Sequence, residues 1–319
     1  MLKKLATMWH QYKYRFVPWI AVNLRNRKLR SVPKGLSDKV ITDEVLQECI
    51  VRFFTALNSV NECNRLSDIN QQILETGKHY SDNMRMNDLS KESNCNKNDN
   101  LLLTKFESIV KNEENVDITV LYKRNLKIMK TVLGFSIERT ASYLKDGGYG
   151  VQVTDGTVPK GAVVALYPGT IYEPFEPIFF QSLHNQFIFR CIDGVYIDGN
   201  DRGISKMIYR SSAFRDRLSL ESTYDLTWLT QYLVNPMAVG QYVNNQSNEY
   251  PANVAYQEFE ITNSFPHSLR KYLPNVHYSP YSMESHMSER NLRVVALISL
   301  REIQKGEELF SSYFTVVHS

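Results

Sequence analysis

The sequence predicts an α+β protein in which helices come first and many short strands follow. Two observations carry that reading. Residues 42–57 place apolar side chains at helical spacing, whereas beyond about residue 150 short β-branched and aromatic runs recur between Gly, Pro and Asp. A chain of 319 residues, 43% of them hydrophobic, suffices for about two folding units or one large one. Gly 14 and Pro 11 are too few for a collagen-like or low-complexity chain, so both classes are excluded.

Residues 1–37 read as a basic aromatic arm. Lys3, Lys4, Lys13, Arg15, Arg25, Arg27, Lys28, Arg30 and Lys34 all precede the first acid, Asp38, and are interleaved with Trp9, Tyr12, Tyr14, Phe16 and Trp19. Three readings of the arm stand open: a solvated basic face packing its aromatics on the body, an organelle transit segment, or a contact with nucleic acid. Lys13 and Arg15 interrupt the stretch where a secretory apolar region would lie, so an intracellular setting is expected, nucleus or cytoplasm, with the mitochondrion open. No apolar run approaches the ~20 residues of a membrane span. Cys49, Cys63, Cys95 and Cys191 show no CxxC spacing, so no structural metal site is expected and the thiols are expected to be reduced.

Residues 38–134 read as a helical region. Asp43, Glu44, Val45, Leu46, Ile50, Val51, Phe53, Phe54 and Leu57 form an amphipathic run with Thr42 as its cap and acids in the first turn. Asn, Ser, Lys and Asp crowd residues 83–100, a composition that cannot bury enough apolar area to order itself and reads as a linker. Helices are expected again at Leu101 to Val110 and Val120 to Leu133. Residues 135–314 then read as a β-rich unit of small sheets. Its strands are expected at Gly150–Val153, Ala162–Tyr167, Gln186–Arg190, Val195–Asp198, Asn253–Tyr256 and Arg293–Leu297.

Three motifs in this half bear on chemistry. Gly148-Tyr149-Gly150 lets a backbone approach a ligand closely, or makes a tight turn; it lacks the third glycine and the helix of a dinucleotide fingerprint, which excludes that reading. Gly240-Gln241-Tyr242-Val243-Asn244-Asn245-Gln246-Ser247, leading to Pro251–Val254, offers consecutive amides suited to a capped loop or to a polar ligand. Ile303-Gln304-Lys305-Gly306-Glu307-Glu308-Leu309-Phe310-Ser311-Ser312-Tyr313 sets a turn ahead of two acids and a tyrosine, which in isolation is plain structure.

In this order and at these separations the three resemble the motifs of the SET-domain lysine methyltransferases. Tyr167-Pro168-Gly169-Thr170-Ile171 is similar to that family's second-strand signature and Tyr196-Ile197-Asp198-Gly199 to its central hairpin, so the resemblance covers roughly residues 135–314. It implies a fold of small sheets whose C-terminal segment makes a pseudoknot beside the asparagine motif, S-adenosylmethionine as cofactor, and methyl transfer to a lysine of a protein substrate. By the same resemblance Gly148, Tyr149, Gly150, Asn244 and Asn245 would bind the cofactor. Tyr149 and Gly150 would act through backbone on the methionine part, Asn244 by its side chain, and Asn245 by backbone at the adenine end. Tyr313 would be the catalytic tyrosine, its hydroxyl beside the transferring methyl and against the cofactor. Tyr242 and Phe310 are candidate walls of the lysine channel, the alternative being ordinary aromatic core. No metal is implied, and nucleic-acid contact through the arm is not expected to be central.

The sequence departs from the family pattern where Asn245 stands for the usual histidine, Gln246 for serine, Ser247 for cysteine and Ser312 for an acid. A catalytically silent SET fold acting as a protein-binding module is the alternative these departures motivate. The stretch after Tyr313 carries no cysteine cluster of the kind that completes the lysine channel in many relatives. The N-terminal helices or the stretch Phe214 to Val234 are expected to close it instead.

Overall fold

The computed structural model describes residues 39–60, 118–145, 147–212, 224–278 and 291–312, together with the backbone of 30–32 and 315–317. Most of the arm, the linker at 83–100, the helix expected at Leu101 to Val110, and Tyr313 itself lie outside the described residues.

The first helix, α1 (43–60), begins where the cap is expected, with Thr42 Oγ1 3.4 Å from the Val45 N–H and the Thr42 carbonyl accepting from Leu46 at 3.0 Å. Leu46, Ile50, Phe53, Phe54 and Leu57 share one face and are fully buried. That face packs against the β-rich unit, where Phe54 meets Phe265 edge-on at 6.4 Å and Tyr272 at 5.6 Å. Just ahead of α1, Gln257 accepts from the Val40 and Ile41 amides and donates to the Ile41 carbonyl at 2.8 Å.

The second helix, α2 (Ile118–Leu133), stops at Gly134, whose φ of +86° a residue with a side chain rarely adopts; the chain then enters β2 (Phe135–Ala141). Asn125 of α2 donates to the Val234 carbonyl at 2.8 Å and Tyr122 packs on Tyr232 at 6.0 Å, so the described part of the 224–234 loop is covered by α2.

The strands of the described residues form four small sheets. β2 pairs antiparallel with β3 (Tyr149–Gly156). A four-stranded sheet runs in the order β10 (Asn275–His277), β5 (Gly169–Tyr172), β7 (Tyr196–Asp198), β6 (Ile188–Arg190). A five-stranded sheet runs in the order β4 (Val163–Tyr167), β11 (Leu292–Ser299), β9 (Val254–Ile261), β12 (Phe310–Ser311), β8 (Asn244–Asn245). Its first three strands are antiparallel, and β12 lies parallel between β9 and β8. The fourth sheet is β1 (Arg30–Val32) parallel to β13 (Thr315–Val317), which ties the end of the arm to the chain just past the C-terminal motif. Helix α3 (Phe179–Ser182) packs on α4 (Gly203–Ser212), which packs on β5 and β10 of the four-stranded sheet.

Mixed helix and small curled sheets are the α+β class expected, and the insertion of β12 beside β8 is the C-terminal threading expected with it. Each of the six expected strands coincides with an observed one, within a few residues at the ends. β1, β2, β8, β10, β12 and β13 were not expected. No helix of the described residues is long and apolar enough to cross a membrane.

Candidate active site

The returning C-terminal segment builds the site. Residues 303–309 run antiparallel along β3, with Val158 and Ile303 exchanging backbone bonds at 2.9 Å, the Gly306 N–H on the Val153 carbonyl at 2.7 Å and the Leu309 N–H on the Val151 carbonyl at 2.8 Å. The segment then passes to β12, where buried Asn253 clamps it. The Asn253 amide donates to the Glu308 carbonyl and its oxygen accepts from the Phe310 N–H, both at 2.8 Å.

This return brings Glu308 against the glycine motif. Its carboxylate, 2% exposed, accepts from Ser142 Oγ at 2.8 Å, from the Tyr143 N–H at 2.7 Å and from Asn244 Nδ2 at 3.1 Å. A Cβ at position 150 would lie 2.1 Å from Glu308 Oε1, so only glycine leaves room for that carboxylate. Gly148 serves differently: it has φ +64° and nothing within 4 Å of where a Cβ would stand, so its role is the left-handed turn beside open space.

Asn244 joins the two motifs, for its Nδ2 also donates to the Tyr149 carbonyl at 3.0 Å and to Ser142 Oγ at 3.1 Å. Asn245 follows in β8, the edge strand, opposite Ser311, and the Gln246 N–H bonds the Ser311 carbonyl at 2.8 Å. Tyr242 lies edge-on to Tyr149 at 6.1 Å and to Phe187 at 5.9 Å. Its hydroxyl is held by Asp201 and Arg139, and burial, aided by the Asp201 hydrogen bond, pushes its pKa well up. Phe310 is buried and stacks on Tyr250 at 5.1 Å, which in turn stacks on Tyr143.

Gly148, Tyr149, Gly150, Asn244, Asn245, Tyr242 and Phe310 therefore come together around one junction of β3, β8 and β12. Tyr313 lies outside the described residues, two positions after Ser311 in the chain. Reading motifs alone missed Ser142, Glu308, Asn253, Arg139 and Asp201. Glu308 carried a signal, since it is a charged residue immediately ahead of Leu309-Phe310 in a run that returns to the core.

Elsewhere Cys191, Asp193 and Glu258 bring three potential ligand atoms within 4.8 Å of one another. The cation there is Arg293, which reaches Asp193 at 2.6 Å and Glu258 at 2.7 Å, while burial pushes the Cys191 thiol up.

No family model matches the chain. SET domain-containing protein 9 of Homo sapiens is 48% identical over 319 residues, which cover 99% of this chain and 98% of that protein. The protein of the same name from Pongo abelii is 46% identical over 289 residues, covering 91% and 97%. The chain belongs to the SET-domain family. Two stretches of this SET protein, Tyr12–Ile20 in the arm and Tyr172–Phe180 after β5, resemble SET domain-containing protein 9 in particular.

Among solved structures, the SET protein is similar to ctPRC2 in an autoinhibited conformation bound to S-adenosylmethionine, at 12% identity and a TM-score of 0.29, over 59% of this chain and 16% of that one. It is also similar to KRYPTONITE in complex with mCHH DNA, H3(1-15) peptide and SAH, at 16% identity and a TM-score of 0.27, over 57% and 24%.

Proposed function

We propose that this SET protein transfers a methyl group from S-adenosylmethionine to the side-chain amine of a lysine in a protein substrate, inside the cell. The observation that carries the reading is the hydrogen bond from Asn244 Nδ2 to the Tyr149 carbonyl, 3.0 Å long across 95 residues of sequence. It joins the two motifs that the family resemblance assigns to the cofactor, with β12 alongside.

The residues at the junction fit an amino-acid group. Gly148 borders open space, Tyr149 is 52% exposed, and the Asn244 Oδ1 accepts no hydrogen bond from the described residues, which suits an incoming ammonium. When bound, S-adenosylmethionine supplies an electrophilic methyl whose bond to sulfur breaks, the pair staying on sulfur, as a bond to nitrogen forms. Tyr149 and Gly150 would hold the methionine part by backbone, Asn244 by its side chain, and Asn245 the adenine end by backbone. The lysine must present a neutral nitrogen, although a free lysine has a pKa of ~10.4. A narrow aromatic channel walled by Tyr242 and Phe310 disfavours the ammonium by desolvation and aligns the amine. The Tyr313 hydroxyl would face the methyl as charge moves from sulfur to nitrogen.

Calorimetry with S-adenosylmethionine and transfer of labelled methyl to a lysine-peptide array test this. The expected result is cofactor binding with transfer, and a Tyr313→Phe chain that keeps cofactor affinity within a few-fold while its rate falls about 100-fold. No cofactor binding overturns the reading. Binding without transfer across the array establishes the silent fold instead.

A further inference from the structure

Tyr242 is held by a pair of opposite charges that belong to none of the three motifs. Its hydroxyl donates to Asp201 Oδ2 at 2.6 Å and accepts from Arg139 Nη1 at 2.7 Å, and the two charged groups face each other at 3.7 Å. Both side chains are largely buried, at 14% and 19% exposure. The Arg139 guanidinium also lies over two rings, 4.8 Å from the centroid of Tyr242 and 5.1 Å from that of Tyr149. Arg139 comes from β2 and Asp201 from the loop between β7 and α4, so the contact spans 103 and 41 residues of sequence.

From α2 the Tyr122 phenol faces Arg139 and donates to Glu138 Oε2 at 3.3 Å. From the Asp201 loop, Arg202 reaches Asp201 Oδ1 at 3.6 Å with a side chain 76% exposed, and β3 contributes the Tyr149 phenol. The ring of Phe187 closes the apolar side. A phenol tied on both sides neither swings nor ionises readily, so Tyr242 is not a base for the incoming amine. What stands behind it is a nearly neutral ion pair.

We propose that Arg139 and Asp201 are positioning residues of the methyl-transfer site: they fix Tyr242 and Tyr149 beside the asparagine strand and, as a balanced charge pair behind the channel wall, set the proton affinity of the substrate amine. This rests on the reading of Tyr242 as a wall of the lysine channel. A negative charge near an amine favours the ammonium and a positive one disfavours it. With both charges present their fields at the channel largely cancel. Removing either one leaves the other uncompensated, and a unit charge some 10 Å away in a partly solvated site moves an amine by on the order of half a pH unit.

The experiment is the pH dependence of kcat at saturating S-adenosylmethionine, with a lysine peptide selected on an array by the unaltered chain, for that chain and for Asp201→Asn, Arg139→Gln and Arg139→Lys. The rate rises with pH along the limb that reports the bound amine. That limb is expected to move to lower pH in Asp201→Asn and to higher pH in Arg139→Gln, and to stay in place in Arg139→Lys, which keeps the charge. Calorimetry gives the S-adenosylmethionine concentration that saturates each variant, and circular dichroism shows that each is folded. Should Asp201→Asn not fold, the Arg139→Gln shift decides alone. Rate losses with an unmoved limb, or shifts of one sign in both variants, overturn the inference and leave methyl transfer standing. An unaltered chain that binds cofactor and transfers nothing overturns the functional reading and this inference with it.

Discussion

Replacing Gly150 by alanine tests the geometry on which the site depends. The new Cβ would stand 2.1 Å from Glu308 Oε1 and 2.6 Å from its Cδ, so the carboxylate must retreat by more than 1 Å to reach ordinary contact. It has nowhere cheap to go. Its three donors sit at 2.7 to 3.1 Å, and a shift of that size carries at least two of them beyond hydrogen-bond reach. Hydrogen bonds to a charged group contribute about 1.5–3 kcal/mol each, so Gly150→Ala is expected to destabilise the fold by roughly 3–5 kcal/mol, a large part of a typical 5–15 kcal/mol. Guanidinium unfolding followed by circular dichroism reads this as a lower midpoint at unchanged slope. Truncating the obstacle separates clash from general damage: Glu308→Ala in the same chain should make the double variant less destabilised than the two single effects combined, by about 1–3 kcal/mol. A Gly150→Ala protein within about 0.5 kcal/mol of the unaltered chain, or strict additivity with Glu308→Ala, would refute the account of why glycine stands there.

Two further substitutions probe the supports of the site. Asn253→Ala removes both side-chain bonds to the returning segment and leaves the Glu308 carbonyl and the Phe310 N–H buried without those partners; a loss of about 2–4 kcal/mol is expected, with faster amide exchange at 308–311. Burial raises Asp225 to about 6, outweighing its bonds from Thr227 and Asn235. Because the folded value lies above the unfolded one, its contribution is fully present below about pH 4 and is lost as pH rises through about 6, on the order of 3 kcal/mol in all. Asp225→Asn does not titrate, so its stability relative to the unaltered chain should improve between pH 4 and 7. Parallel urea midpoints across that range would contradict this.

The fold class was legible because β-branched runs such as Val163–Tyr167 and Leu292–Ser299 are nearly continuous apolar strands, and because α1 shows its buried stripe directly. β8 and β12 were not, since Asn244-Asn245 has no strand propensity and becomes a strand only because Phe310-Ser311 is threaded beside it. β2 hid for a related reason: Glu138, Arg139 and Thr140 put three polar residues in succession, and the segment becomes a strand where Gly134 turns the chain and β3 pairs with it. Within the site, the motifs announced which backbones and amides meet, but not what holds them. Glu307 and Glu308 are adjacent and chemically identical, yet one pairs with Arg301 at the surface at 2.6 Å and the other is buried against Gly150. That difference is decided by the register of residues 303–309 on β3, a contact more than 150 residues long in sequence that no local pattern encodes.

Apolar packing crosses the boundary near residue 135. Phe53, Phe54 and Leu57 of α1 belong to the same apolar cluster as Phe265, Leu269 and Tyr272, and the side chain of Gln257 spends its hydrogen bonds on the backbone at residues 40–41. A chain beginning at residue 135 would expose the Phe265 and Tyr272 rings and leave the Gln257 amide, 2% exposed, without those partners. Burying one aromatic side chain is worth about 1.5–3 kcal/mol, and several are uncovered at once, so the truncated protein is expected to aggregate or to unfold well below the full chain's Tm. Adding back residues 38–134 as a separate polypeptide should restore part of the lost stability if α1 and α2 dock as they do here. A truncated chain that is monomeric and melts within a few degrees of the full one would show that the β-rich unit carries its own core.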